Sequence, residues 1–253
     1  MRPWFVGAAL CGIVAGATPA FAQGSTQPAP GWSVTLTPYM WAAGVSGTVE
    51  LPRQSRDFSA DFGDIFDDLK FAVMGSAELR SGRFGLLIDM VYMDIEQGVS
   101  TPRGVVFRGG EARLTATEFA AVGLYRAVEQ PSFTLDAGAG ARAWWFDTKL
   151  TLNQGLGGPR SDSASPTWLD PILAMRAQFR LSESLSIVAY GDIGGFDLGS
   201  RLTWQALGAI EWRFAQNMSA QLGYRYLYID YAKKDVSLDV GFGGPLLGVS
   251  FRF

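Results

Sequence analysis

The sequence predicts an all-β fold: a transmembrane up-and-down antiparallel β-barrel of about ten strands. Three observations carry this. Apolar and polar residues alternate with a period of two through most of the chain. The chain is 48% hydrophobic, with 8 Trp, 8 Tyr, 17 Phe and 31 Gly, yet after the N-terminus it has no run of the roughly 18 uninterrupted apolar residues that a spanning helix needs. Strands with one face in lipid satisfy their backbone groups only by closing into a barrel.

Taken in order, Met1 to Ala22 reads as a secretory signal peptide. Arg2 supplies the positive start, Trp4 to Ala17 the apolar stretch, and Ala20-Phe21-Ala22 the small-x-small cleavage site, with Gln23 the expected first mature residue. Residues 23–31 form a flexible, Pro- and Gly-rich periplasmic leader, and residues 32–253 the barrel. The single cysteine, Cys11, falls within the signal peptide, so disulfide and thiol chemistry are not expected of the mature chain. A net charge of -3 argues against a nucleic-acid partner.

Ten strands are expected at about 33–49, 69–80, 83–96, 111–128, 132–152, 167–181, 184–194, 201–214, 217–231 and 245–253. Their connections alternate in length. Ser81-Gly82, Glu129-Gln130-Pro131, Ser182-Glu183 and Ala215-Gln216 are short. The stretches 50–68, 97–110, 153–166, 195–200 and 232–244 are long. Short turns at one end and long loops at the other are the mark of an outer-membrane barrel, with the short turns in the periplasm. Ten strands put both termini on the periplasmic side. Splitting the long fifth segment, or reading the first as two short pieces, leaves eight or twelve strands open.

Parity assigns the faces. In the sixth strand Leu169, Leu173, Met175, Phe179 and Leu181 face lipid, with Asp170, Ile172, Arg176 and Gln178 inside. In the eighth, Trp204, Ile210, Trp212 and Phe214 face out, against Thr203, Gln205, Glu211 and Arg213. The fifth and ninth place Asp136, Arg142, Gln221 and Arg225 inside, and Glu118 must be inside in the fourth. In the last strand Pro245, Leu247, Val249, Phe251 and Phe253 share the outer face. In the first, Val34 and Leu36 oppose Tyr39 and Trp41 in parity, so a bulge near Pro38 is expected to switch the face. Aromatics gather at both margins. Phe133, Phe179, Trp212 and Phe214 lie at one, and Trp145, Tyr226 and Tyr228 at the other, as in the two interfacial belts of a membrane barrel.

The ending Gly248-x-x-Phe251-x-Phe253 resembles the C-terminal signal that outer-membrane barrels present to their assembly machinery. Asp170-Pro171-Ile172, Gly191-Asp192-Ile193-Gly194-Gly195-Phe196-Asp197-Leu198-Gly199-Ser200, Gly223-Tyr224-Arg225-Tyr226 and Gly244-Pro245-Leu246-Leu247-Gly248 add to the likeness. Together they make the chain similar to a group of small, uncharacterised proteobacterial outer-membrane β-barrel proteins, most of all from Trp168 to Phe253. The resemblance implies fold and location, the Gram-negative outer membrane, but no activity. The expected partners are outer-membrane lipid and, through the strand ending in Phe253, the barrel assembly machinery.

The chemistry is argued mainly from absence. The chain has no histidine. Ser-His-Asp or Asp-His sites and imidazole metal sites are therefore ruled out. No catalytic, cofactor or metal residues are assigned. Lumen positions carry Lys70, Arg80, Arg142, Arg176, Arg180, Arg213, Arg225 and Arg252, against Glu78, Asp89, Glu118, Asp136, Asp170, Asp192 and Glu211. Charges enclosed in so narrow a barrel must pair. A structural ion-pair network is the first reading, and a narrow conduit for small ions the second. In the first long loop, Phe62, Ile65, Phe66 and Leu69 mark one face of a short helix capped by Ser59 or Asp61. It is expected to pack at the rim as a lid, rather than to use Asp64, Asp67 and Asp68 for Ca²⁺. Gly194-Gly195 and Gly243-Gly244 read as tight-turn glycines. The function expected is a barrel without catalysis, serving envelope structure or surface interaction. The alternatives are the channel and, behind it, an enzyme acting on lipid or peptide.

Overall fold

The alternating pattern closes on itself. The structure, a computed structural model, describes residues 31–51, 54–99, 107–154, 160–233 and 236–253. The expected signal peptide and almost all of the leader lie outside the described residues. The elements are β1 (Trp32–Trp41), β2 (Gly44–Leu51), β3 (Gln54–Ala60), α1 (Phe62–Asp68), β4 (Leu69–Ser81), β5 (Phe84–Val99), β6 (Phe107–Glu129), β7 (Phe133–Gln154), β8 (Arg160–Ala164), β9 (Thr167–Arg180), β10 (Leu185–Gly195), β11 (Leu202–Ala215), β12 (Met218–Lys233) and β13 (Val236–Arg252).

Ten strands make the wall: β1, β4 to β7 and β9 to β13, each antiparallel to its neighbours. β13 returns to β1 with Thr35 opposite Arg252 and Trp41 opposite Leu246, so the sheet has no open edge at this level. The tight connections between β4 and β5, β6 and β7, β9 and β10, and β11 and β12 lie at one end. Gly82 takes a positive φ of 53° in the first of them. In the third, Ser182 Oγ accepts the Leu185 N–H at 3.1 Å.

Side chains fall on the faces that their parity dictates. Leu169, Leu173, Met175, Ile210, Trp212, Leu222, Tyr224 and Leu247 stand exposed on the outside, while Asp136, Arg142, Asp170, Ile172, Thr203 and Arg225 are buried within. An exposed apolar belt around a buried polar core inverts the pattern of a water-soluble protein and suits a wall standing in lipid.

The strands outrun the membrane. β6 has 23 residues and β7 has 22, whereas a crossing takes roughly 9–11. The excess rises beyond the long-loop end. There β2 continues β1 along β13 in unbroken register, from Trp41 opposite Leu246 to Gly44 opposite Gly243 and onward. β3 folds back on β2, and β8 folds onto β7. The stretches 50–68 and 153–166, expected to be loops, therefore contain β3 and β8, and β5 and β6 take up much of 97–110.

Three expectations are corrected. No bulge occurs at Pro38. It is the last β1 residue to pair with β4, opposite Gly75, so its missing N–H falls at the end of that ladder. Parity holds through β1, with Leu36 and Met40 outside and Thr37 and Trp41 inside. The last strand begins at Val236, not at 245, and Gly243-Gly244 lie within it rather than in a turn. These glycines answer a packing need: a β-carbon at Gly243 would meet the Tyr226 ring, and one at Gly244 the Ala42 carbonyl. Gly195, by contrast, does turn, with φ of 90°. Finally, Lys70 sits at the outer rim beside a register shift between Leu69 and Phe71. It is 56% exposed and pairs with Glu96 at 3.5 Å, away from the lumen network.

Candidate functional site: the closed lumen

From the short-turn end outward, the interior holds a cavity, two ion-pair clusters and an aromatic plug. The first cluster is centred on Asp136 of β7. Arg80 Nη2 donates to it at 2.8 Å, Arg126 Nε at 2.9 Å and Arg176 Nη2 at 2.7 Å. Arg176 also reaches Glu78 of β4 from β9, joining opposite walls at 2.9 Å. Arg126, not assigned from the sequence, shares the inward parity of Glu118, Val122 and Leu124 and stands opposite Asp136; a register shift follows it, before Val128. Arg80 Nη1 is buried without a partner.

The second cluster is deeper. Arg142 of β7 donates to Glu118 of β6 at 3.0 Å, to Asp192 of β10 at 2.8 Å and to Thr203 of β11 at 3.3 Å. Arg225 of β12 donates to Gln205 at 2.9 Å, and to Tyr39 Oη and Asp89 at 2.8 Å each. The Tyr39 hydroxyl in turn donates to Asp89 at 2.9 Å. Multiple donors to each carboxylate offset charges that burial alone would strongly disfavour, with only Asp192 Oδ1 left buried without a partner among the described carboxylates.

Asp170 departs from the expectation that every enclosed charge finds an opposite one. Fully buried, it forms no ion pair among the described residues. Its carboxylate accepts the indole N–H groups of Trp144 and Trp168 at 3.1 Å each, the Ser200 N–H at 2.6 Å and the Ser200 hydroxyl. A carboxylate with several N–H and O–H donors is stabilised much as one beside a cation. The bonds to Ser200 tie the β10–β11 turn, where Phe196 and Asp197 hold positive φ values of 50° and 61°, down onto the barrel wall.

Above these groups the lumen turns apolar. Trp41, Val91, Trp144, Trp168, Leu227, Ile229, Tyr231 and Leu246 form one buried cluster. Trp168 stacks on Tyr231 with ring centroids 4.2 Å apart, and Phe146 stacks on Trp168 at 5.5 Å. Since β10 and β11 stand between β9 and β12 in the wall, the Trp168–Tyr231 contact spans the interior. Trp41 closes the remaining side. Its Nε1 donates to the Arg225 carbonyl at 3.3 Å, and its ring lies 4.8 Å from the Arg225 guanidinium carbon.

This plug has no counterpart among the expectations from sequence. Its signal was present: Trp41, Trp144 and Trp168 each stand two residues from Tyr39, Arg142 and Asp170, and so share the face of lumen residues. The helix expected as a lid does form. Asp61 is its N-cap, with the Asp61 N–H donating to Asp64 at 3.2 Å. None of its residues is buried, so it packs against the outer extension without filling the mouth. Among the described residues no group of three or more acidic, cysteine or histidine side chains is placed to hold a metal ion. Outside the membrane span, Arg113 hydrogen-bonds Asp94 and holds its carboxyl below the usual range.

Alongside the clusters, lined by Arg80 and Arg176 of the first and Asp89 and Arg225 of the second, a cavity of about 340 Å³ opens toward the short turns. Ser33, Thr35, Ser76, Thr134, Gln178 and Ser250 line it together with arginines.

No family model and no curated protein matches this chain. Among solved structures it is similar to the outer membrane protease OmpT from Escherichia coli, at 10% identity over 88% of this chain and 96% of that one, with a TM-score of 0.51. It is also similar to the translocator domain of the autotransporter NalP from Neisseria meningitidis (15% identity, 91% of each chain, TM-score 0.46) and to Ail of Yersinia pestis (16% identity, 88% and 99%, TM-score 0.34). The fold is that of the Gram-negative outer-membrane β-barrels.

Proposed function

We propose that this protein is a non-catalytic, non-conducting outer-membrane barrel, exported by its N-terminal signal and assembled through the strand ending in Phe253. Its role is in envelope structure or in contacts made by its outer extension. One observation carries the reading: the stack of Trp144, Phe146, Trp168 and Tyr231 fills the lumen directly above a bonded charge network. A hydrophobic constriction of this kind excludes water and hence ions. The non-catalytic part is supported by the lack of any histidine, and by carboxylates engaged with guanidinium or indole donors rather than left free as a base. Recording in planar bilayers tests the conduction part. Assay of the purified barrel on lipid and peptide substrates tests the catalytic part, and turnover abolished by an Asp136→Asn change would refute it.

A further inference from the structure

Charge in this lumen is nearly balanced overall but is sorted by depth. The outer half holds two guanidinium groups, Arg142 and Arg225, against four carboxylates, Asp89, Glu118, Asp170 and Asp192. The half toward the short turns holds six arginines against Glu78, Glu129, Asp136 and Glu211. Arg80, Arg126 and Arg176 share Glu78 and Asp136, and Arg126 also lies 3.8 Å from Glu129. Arg180, Arg213 and Arg252 line the mouth below them, leaving an excess of two positive charges among these groups.

The mouth arginines are poorly compensated. Glu211 is engaged by the hydroxyl of Ser219 at 2.7 Å and the amide of Gln178 at 3.3 Å. The guanidinium of Arg180 donates to the Pro131 carbonyl at 3.1 Å. Among the described residues the side chains of Arg213 and Arg252 make no hydrogen bond or ion pair. The register sets them close together. Arg213 is opposite Ser219, Ser219 opposite Ser250, and Arg252, two residues on, opposite Thr35. A small crevice beside the main cavity is lined by both arginines with Thr35, Ser219 and Ser250, and by Glu211, whose carboxylate is taken up by Ser219 and Gln178.

The cavity runs up past the first ion-pair cluster to Tyr39, Asp89 and Arg225 of the second, and is blind because the aromatic plug closes the lumen above them. Guanidinium forks and a row of hydroxyl donors at the solvent-exposed mouth of a concave site, where Arg180, Arg213 and Arg252 outnumber the carboxylate of Glu211, attract one class of ligand: a compact oxyanion. We propose that the inner mouth binds a phosphate-bearing anion, held by Arg213 and Arg252 and assisted by hydroxyls of Thr35 and Ser250. The cavity faces the periplasm, where a soluble phosphate ester and the headgroups of the inner leaflet both present this chemistry.

The test is calorimetric titration of the full refolded chain with inorganic pyrophosphate at low salt, in a zwitterionic detergent. Saturable one-to-one binding that weakens as salt is raised is expected. The Arg213→Gln/Arg252→Gln double variant is expected to bind at least about tenfold more weakly, as the loss of charge-assisted bonds implies. Lys149→Gln, at the opposite end, is expected to bind as the parent does. Heat-dependent gel migration checks that each variant is folded, and Arg213→Gln alone stands in should the Arg252 change impair assembly. Repeating the titration in phosphatidylglycerol and phosphatidylcholine nanodiscs identifies the source. Competition in the first only assigns the site to headgroups, and equal binding in both assigns it to a free phosphate. No saturable binding, or equal binding by a folded double variant, overturns the proposal. Conductance has no bearing on this result, so it stands or falls apart from the proposed function.

Discussion

Arg142 and Asp192 meet inside the lumen at 2.8 Å, from β7 and β10 with β9 between them in the wall, and neither side chain has any accessible surface. The same guanidinium holds Glu118 on its other side. An Arg142→Ala change would leave buried Asp192 with the Gln205 amide in place of an ion pair and Glu118 with only Arg225 at 3.4 Å, and breaking a buried pair in this way costs about 3–5 kcal/mol. Chemical unfolding in detergent is expected to show that loss. Arg113→Ala removes a partner of Asp94 from an arginine that is 55% exposed, and is expected to change the midpoint very little.

Leu173 and Gln178 lie on one strand but in different solvents. Leu173 is 55% exposed on the lipid face, and Gln178 faces inward to Glu211. Arginine at the first position is expected to cost about 2–4 kcal/mol, as for a charge near the bilayer midplane. Arginine at the second gains a carboxylate neighbour and is expected to be tolerated. The folded fraction after refolding into lipid, read from heat-dependent gel migration, measures both. Equal damage would contradict the face assignment of β9.

Asp170 is expected to act as a latch on the β10–β11 turn. Asp170→Ala leaves the indole N–H groups of Trp144 and Trp168 and the Ser200 N–H without their acceptor, at about 1–3 kcal/mol for each donor that finds no substitute. Hydrogen exchange at Gly199 and Ser200 is expected to rise while exchange in β4 and β5 stays unchanged. A uniform rise over the barrel would show Asp170 to be a global rather than a local support.

Much of this architecture was legible because lipid and lumen impose opposite demands on alternate residues. Glu118, Asp136, Arg142, Arg176 and Arg225 fall inside, as their charge requires. The Phe133–Phe179 and Trp212–Phe214 ring pairs fall at the short-turn margin, as an interfacial belt requires. The errors share a cause. An apolar residue in a barrel sequence reads as lipid-facing, so Tyr39 and Trp41 suggested a bulge and Trp144 and Trp168 suggested nothing. Periodicity cannot distinguish an oily exterior from an oily plug. Likewise, Gly243-Gly244 read as a turn because the Tyr226 side chain that occupies the space over the first of them comes from another strand. Depth sorting of the arginines was invisible too, since it emerges only when strand register places Arg180, Arg213 and Arg252 at one level.

The closed lumen is tested most directly by single-channel recording of the parent barrel beside a Trp168→Ala/Tyr231→Ala variant. The parent is expected to be silent at moderate voltage, and the variant, with the 4.2 Å stack removed, to pass discrete ohmic steps. Stable conductance steps from the parent itself, unchanged in a variant that still folds, would contradict the account.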